Sequence, residues 1–225
     1  MVPTWLHQLS IAFIALGFAC AAIIAIHEFH HPQKMAIMNI VWPVTALYAS
    51  VFAVWGYFAY GTREEAPFAV MTAKASTHCG AGCTVGDICA EWLAFAFPVT
   101  TLALGYGTLF PDRIFAVWVL DFILAFLFGI VFQYFTIAPM RNLGVGEGIW
   151  QAVKADTLSI TAWQAGMYGF MAFANFYIFR HLLGAPLETD SFEFWFMMQI
   201  AMICGFFTSY PMNWWLLRIG VKEKM

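Results

Sequence analysis

Six stretches of the chain run almost without charge, at about 5–27, 37–60, 82–109, 113–138, 157–180 and 194–217. Each reaches the roughly 20 apolar residues that a helix needs to cross a bilayer. The first opens with "MVPTW", which has no basic leader and no small-residue cleavage site, so it reads as a retained helix and not as a signal peptide. The pattern predicts an all-α polytopic membrane helix bundle of about six transmembrane helices, one integral membrane domain over residues 1–225.

Composition strengthens this reading. Of the 225 residues 62% are hydrophobic and only 10% charged, against about a quarter charged in soluble domains. The net charge of -3 and the absence of any basic block leave no role for nucleic acid as a partner. Lipid is the expected surroundings. If six spans alternate, Arg63, Lys74, Arg141, Lys154, Arg218, Lys222 and Lys224 share one side, and Lys34, Arg113 and Arg180 share the other. This seven-to-three bias predicts both termini in the cytoplasm, with "HEFHHPQK" outside.

Candidate chemistry is concentrated in "STHCGAGCTVGDICAEW", residues 76–92. Cys79, Cys83, Asp87 and Glu91 recur every fourth residue, so on a helix they form one stripe about 18 Å long. Carboxylates inside a membrane are costly and are expected to face protein or a wet cavity. Gly82 and Gly86 suit close helix packing on another face. Gly80 and Gly82 also allow "HCGAGC" to be a loop at the cytoplasmic end of the third span, where His78 and the two thiols converge. Thiols and an imidazole suit Cu(I) or zinc; the competing reading is small buried cysteines. A disulfide is disfavoured in the cytoplasm. Cys20, Cys89 and Cys204 read as inert core residues.

A second donor set lies in "IHEFHHPQKMAIMN". His27 and His31 are one helical turn apart, Glu28 and His30 stand between them, and Met35 follows. Nitrogen and soft sulfur donors in one turn suit a transition metal, with pH sensing or proton entry as the competing role. Met167 with Met171, and Met198 with Met202, repeat the four-residue spacing, and Met171, Met198 and Met202 are expected near the depth of Glu91, as thioether stepping stones or as ordinary gap-filling side chains. Gln133, Gln164, Asn175, Gln199 and Asn213 are expected to form interhelical hydrogen bonds, and Asp121 is a candidate functional carboxylate.

The strings "HHPQKMAIMNIVWPVTALY", "STHCGAGCTVGDICAEW", "FQYFTIAPMR", "KADTLSITAWQAGMYGFM" and "MMQIAMICGFFTSYPMNWWLLRIGVKEKM" together resemble the bacterial membrane proteins grouped as domain of unknown function 4396. The resemblance runs from His27 to Met225 and implies a multi-pass protein of the bacterial inner membrane. It carries no activity with it.

Hydrolase, P-loop, nicotinamide-binding and HExxH signatures are absent. Three functions therefore remain in view. The leading one is transition-metal handling, copper as Cu(I) above all, by capture at the outer histidines, relay by mid-membrane methionines and carboxylates, and receipt at His78, Cys79 and Cys83. The second is a haem- or quinone-linked redox subunit, with His27 or His31 paired to His181. The third is a scaffold in a larger complex, whose partner is another membrane protein or a second copy of the chain.

Overall fold

The computed structural model describes residues 2–61, 63 and 66–223. Seven α-helices and no strands are found among them: α1 (Thr4–His30), α2 (Met38–Gly56), α3 (Phe68–Ala96), the short α4 (Val99–Ala103), α5 (Arg113–Arg141), α6 (Val145–Ala172) and α7 (Phe192–Arg218). A π-helical turn, Tyr57–Gly61, extends α2, and a longer π-helical segment, Phe173–Leu183, extends α6. Four of these, Thr4–His30, Met38–Gly61, Arg113–Arg141 and Phe192–Arg218, are long and apolar enough to cross a membrane. Large apolar side chains such as Phe52, Leu109 and Phe207 face outward, whereas Asp87, Asp121, Asp156 and Gln133 are fully enclosed. Apolar outside and polar inside is the arrangement of a protein solvated by lipid.

The second helix does not run straight. Ser50 has φ 46° and ψ -120°, far from helical values. The chain reverses there, because the Trp42 ring lies 5.6 Å from that of Tyr57, fifteen positions that a continuous helix would hold about 22 Å apart. Residues 38–49 and 51–61 thus form a helical hairpin whose tip is near Ser50. Backbone groups freed at such a break need partners at membrane depth. Gln199 supplies one, donating through Nε2 to the Leu47 carbonyl at 2.6 Å. Gly17 of α1 packs against this same carbonyl, where a Cβ would have no room. Tyr48, beside the tip, rests edge-on against Trp163 of α6 at 5.8 Å.

This reversal changes the chain's path. His27 near the end of α1 bonds Tyr57 on the hairpin's returning arm at 2.8 Å. Tyr210 late in α7 donates to the carbonyl of Ala69 early in α3, 3.1 Å. His7 early in α1 meets Glu193 early in α7 at 2.7 Å. Helices α1 and α7 are therefore parallel. One end of the bundle, here the upper end, gathers the end of α1, both ends of the hairpin, the start of α3, the α5–α6 turn and the carboxyl-terminal segment. The lower end gathers the starts of α1, α5 and α7. The expectation that both termini share one side is not met: the amino-terminal segment is low and the carboxyl-terminal segment high. The 24-residue stretch that looked like a full crossing enters and leaves at the upper end.

The third long helix also differs from expectation. It runs over Phe68–Ala96, with Pro67 before it and Pro98 just after it, instead of about 82–109. Lys74 and His78 had seemed to lie outside the span, yet they are buried within the helix. The "HCGAGC" string is consequently helical and about 15 Å inside the upper end, not a surface loop. Its glycines serve packing: Gly82 meets Gly129 and Gly86 meets Ala125, the two pairs lying one turn apart along antiparallel α3 and α5. This small-residue seam was expected for Gly82 and Gly86, and it brings the polar stripe of α3 into the centre of the bundle.

Candidate functional site

Cys79, Cys83, Asp87 and Glu91 are all enclosed, none more than 4% exposed. Their stripe runs down the interior between α5, α6 and α7. At its upper end the carboxyl-terminal segment turns inward at Gly220, whose φ of +73° suits glycine. The Lys222 ammonium reaches Asp156 Oδ1 at 2.7 Å with both side chains fully buried. Lys222 Nζ is also 3.4 Å from Ser159 Oγ, and that hydroxyl donates to Asn213 at 2.9 Å. Nearby, His78 Nε2 bonds the Thr136 hydroxyl at 2.9 Å, while His78 Nδ1 and both polar atoms of the Gln133 side chain are buried without a partner.

The middle level carries sulfur. Cys79 and Cys83, one turn apart on α3, are both fully buried and belong to one extended apolar cluster that also contains Met167, Met171, Met198 and Met202. The Thr84 hydroxyl, 3.7 Å from Met202 Sδ, ties α3 to α7 at this depth. Met202 reaches this level through Thr84, whereas Met167 and Met171, beyond Gln164 on the descending α6, lie nearer the depth of Glu91.

Below the thiols, oxygen takes over. Gln164 Nε2 donates to Asp87 Oδ1 at 3.0 Å. Asp87 Oδ2, both oxygens of Asp121 and Gln164 Oε1 are buried with no partner. Asp121 lies within electrostatic reach of Asp87 and Glu91. Glu91 accepts from Thr189 at 3.0 Å and borders a polar cavity of about 300 Å³, lined also by Arg113, Asn175, Arg180 and Glu188. This cavity lies toward the lower end, where Arg180 pairs with Asp112 at 2.7 Å.

The histidine-rich turn does not assemble as predicted. His27 and His31 stack at 4.6 Å, but the His27 ring is engaged by Tyr57, His30 is exposed beside Phe29, and Met35 packs against the separate core of α1 and the hairpin. Glu28 is buried with neither oxygen partnered. Among the described residues no three His, Cys, Asp or Glu side chains come together to hold a metal ion. His78 is likewise drawn away from the thiols toward α5, since adjacent helical residues point about 100° apart. The proposed pairing of His27 or His31 with His181 is precluded, because His181 ends the α6 rod at the lower end, stacked on Tyr177, whereas the other two are at the upper end. Cys89, expected in the core, is exposed on the lipid-facing surface.

Sequence reasoning left Lys222, Asp156, Ser159, Tyr48 and Thr136 out of the site. A signal for the first two existed: an aspartate inside an apolar helix needs a cation, and the glycine after α7 allows a lysine to turn back.

Residues 70–222 match the family described as Domain of unknown function (DUF4396). The chain belongs to this family. The matched region contains all but the first two residues of α3, then α4 to α7 and Lys222, while α1 and the hairpin precede it. No curated protein and no solved structure matches the chain. The four helices long and apolar enough to cross a membrane, with the apolar exterior, are the features of a membrane protein.

Proposed function

We propose that this DUF4396 protein is a carrier of the bacterial inner membrane that takes a cation through the interior between α3, α5, α6 and α7, with Cu(I) as the cargo. The supporting observation is the Cys79 and Cys83 thiol pair, fully buried one turn apart on α3, in a cluster that also contains four methionines. Soft sulfur donors select Cu(I) over Mg or Ca, and two thiolates suffice for a low-coordinate ion without the histidines. Carboxylates above and below the sulfur, Asp156 on one side and Asp87 and Glu91 on the other, offer positions to a cation entering or leaving.

In this reading the bundle crosses the membrane five times, and the hairpin enters from one side only. Among the described residues Lys34, Arg63, Lys74, Arg141, Lys154, Arg218 and Lys222 belong to the upper half and only Arg113 and Arg180 to the lower. This seven-to-two bias supports a cytoplasmic upper end and an external Glu91 cavity. Lys34 changes sides relative to a six-span path, and Lys224 lies outside the described residues.

The test is Cu(I) binding by purified protein under reducing conditions, in competition with a chromogenic Cu(I) chelator. One Cu(I) per chain is expected, lost in Cys79→Ser with Cys83→Ser. Affinity should fall as pH falls, because ligation requires thiolates and protons compete for them. A wild-type protein that stays metal-free, or a double variant that binds as wild type does, rejects the cargo.

A further inference from the structure

The oxygen-rich level below the thiols is chemically unlike the sulfur above it. Asp87 on α3, Asp121 on α5 and Gln164 on α6 bring side-chain oxygens from three helices into one region, and none of the three residues is more than 1% exposed. Asp121 is eight residues from the start of α5 and Asp87 nine from the end of α3, which puts both about 12–14 Å inside the lower end. Among the described residues the only hydrogen bond made by the two aspartate side chains is from Gln164 Nε2 to Asp87 Oδ1. This places the Gln164 amide at the carboxylate and leaves its own Oε1 unpartnered and buried. Four enclosed oxygens thus lack a donor: Asp87 Oδ2, Asp121 Oδ1, Asp121 Oδ2 and Gln164 Oε1.

Neighbouring groups do not meet this need. Tyr168, one turn below Gln164 on α6, donates to the Trp118 carbonyl at 2.9 Å. The charges acting on Asp121 are those of Glu91 and Asp87, both of its own sign. Arg113 acts on Glu91, and its guanidinium is held by the Ala94 carbonyl at 2.7 Å. Lys222 is committed to Asp156 nearer the upper end. Buried polar atoms in proteins are nearly always satisfied, and buried carboxylates require a cation or a proton. A proton serves one oxygen at a time; a cation can serve several at once.

We propose that Asp87, Asp121 and Gln164 form a binding site for a hard alkali cation, Na+, separate from the sulfur site. Oxygen donors without sulfur or nitrogen favour hard ions. Mg2+ retains several waters and Ca2+ takes six to eight oxygens, more than this enclosed set of four supplies. Na+ accepts a smaller and less regular shell. The Glu91 cavity at the lower end is its approach, with Glu91 one turn from Asp87 on the same face of α3. The proposal does not depend on Cu(I) as cargo, since none of its ligands is a thiol.

The experiment uses the full chain in lipid nanodiscs, with NaCl exchanged for choline chloride at constant ionic strength. Dicyclohexylcarbodiimide, an apolar carboxyl reagent, is applied and the modified residues are located by mass spectrometry. Na+ is expected to slow modification of Asp121 and Asp87 at least fivefold, and to raise the thermal midpoint in a saturable way. The thermal response should disappear in Asp121→Asn and persist in Cys79→Ser with Cys83→Ser, which separates failure of this site from failure of the sulfur site. The wild-type protection measurement stands even if Asp121→Asn folds poorly. Equal modification in Na+ and choline, an equal response to Mg2+, or a Na+ response unchanged in Asp121→Asn overturns the proposal. A response to pH alone also overturns it and identifies the groups as a proton store.

Discussion

Replacing Lys222 by Met tests whether the carboxyl-terminal segment is part of the bundle or merely lies on it. Lys222 Nζ is 2.7 Å from Asp156 Oδ1 and both side chains have no exposure. Met preserves most of the apolar stem and removes the charge. Asp156 Oδ2 already lacks a partner, so the substitution leaves a buried carboxylate with neither its counter-charge nor its principal donor. Breaking a buried pair from one side costs about 3–5 kcal/mol. The adjacent Arg141–Glu223 pair provides the internal control: its side chains are 39% and 23% exposed, and such surface pairs contribute roughly 0–1 kcal/mol. Lys222→Met should therefore destabilise the protein by at least about 2 kcal/mol more than Arg141→Met. Lys222→Met combined with Asp156→Leu should recover most of the loss, because no orphaned charge remains. Reversible unfolding in mixed micelles, followed against the fraction of denaturing detergent, measures all three variants. Equal effects of Lys222→Met and Arg141→Met would refute the argument, as would a double variant no more stable than the single one.

Two further outcomes are expected. Cysteines introduced at Gln33 and at Arg218 should be labelled by an impermeant reagent from the same side of the membrane, and one at Arg180 from the other; labelling of Gln33 together with Arg180 restores the six-span path. Gln199→Leu should destabilise the fold by about 1–3 kcal/mol in the same unfolding assay, the cost of leaving the Leu47 carbonyl unpaired, whereas a change under roughly 0.5 kcal/mol would show that the break in the hairpin needs no partner.

The parts of this structure that were legible in the sequence are those governed by local spacing. The four-residue recurrence from Cys79 to Glu91 specified a single helical stripe, and Gly82 with Gly86 specified the face that α5 approaches. Gln164 and Asn213, polar groups within apolar helices, hydrogen-bond between helices as expected, while Asp121 and Gln133 do not. What the sequence concealed depends on tertiary contacts. Nothing around Ser50 marks a reversal: no glycine stands there, the nearest proline is Pro43, and the window is long and apolar enough to read as a crossing. The break is sustained by Gln199, Trp42 and Trp163 on other segments or other turns, so no local reading recovers it. Its consequence is large, because one hidden reversal moves Lys34 and the histidine-rich turn to the opposite side and places them at the same end as Lys222. The two donor sets do not guard opposite membrane faces: the histidine-rich turn is at the upper end and the thiols lie in mid-bundle. The polar interior instead opens at the other end through the cavity beside Glu91, whose Arg113, Arg180 and Glu188 are distant in sequence from the string that drew attention first.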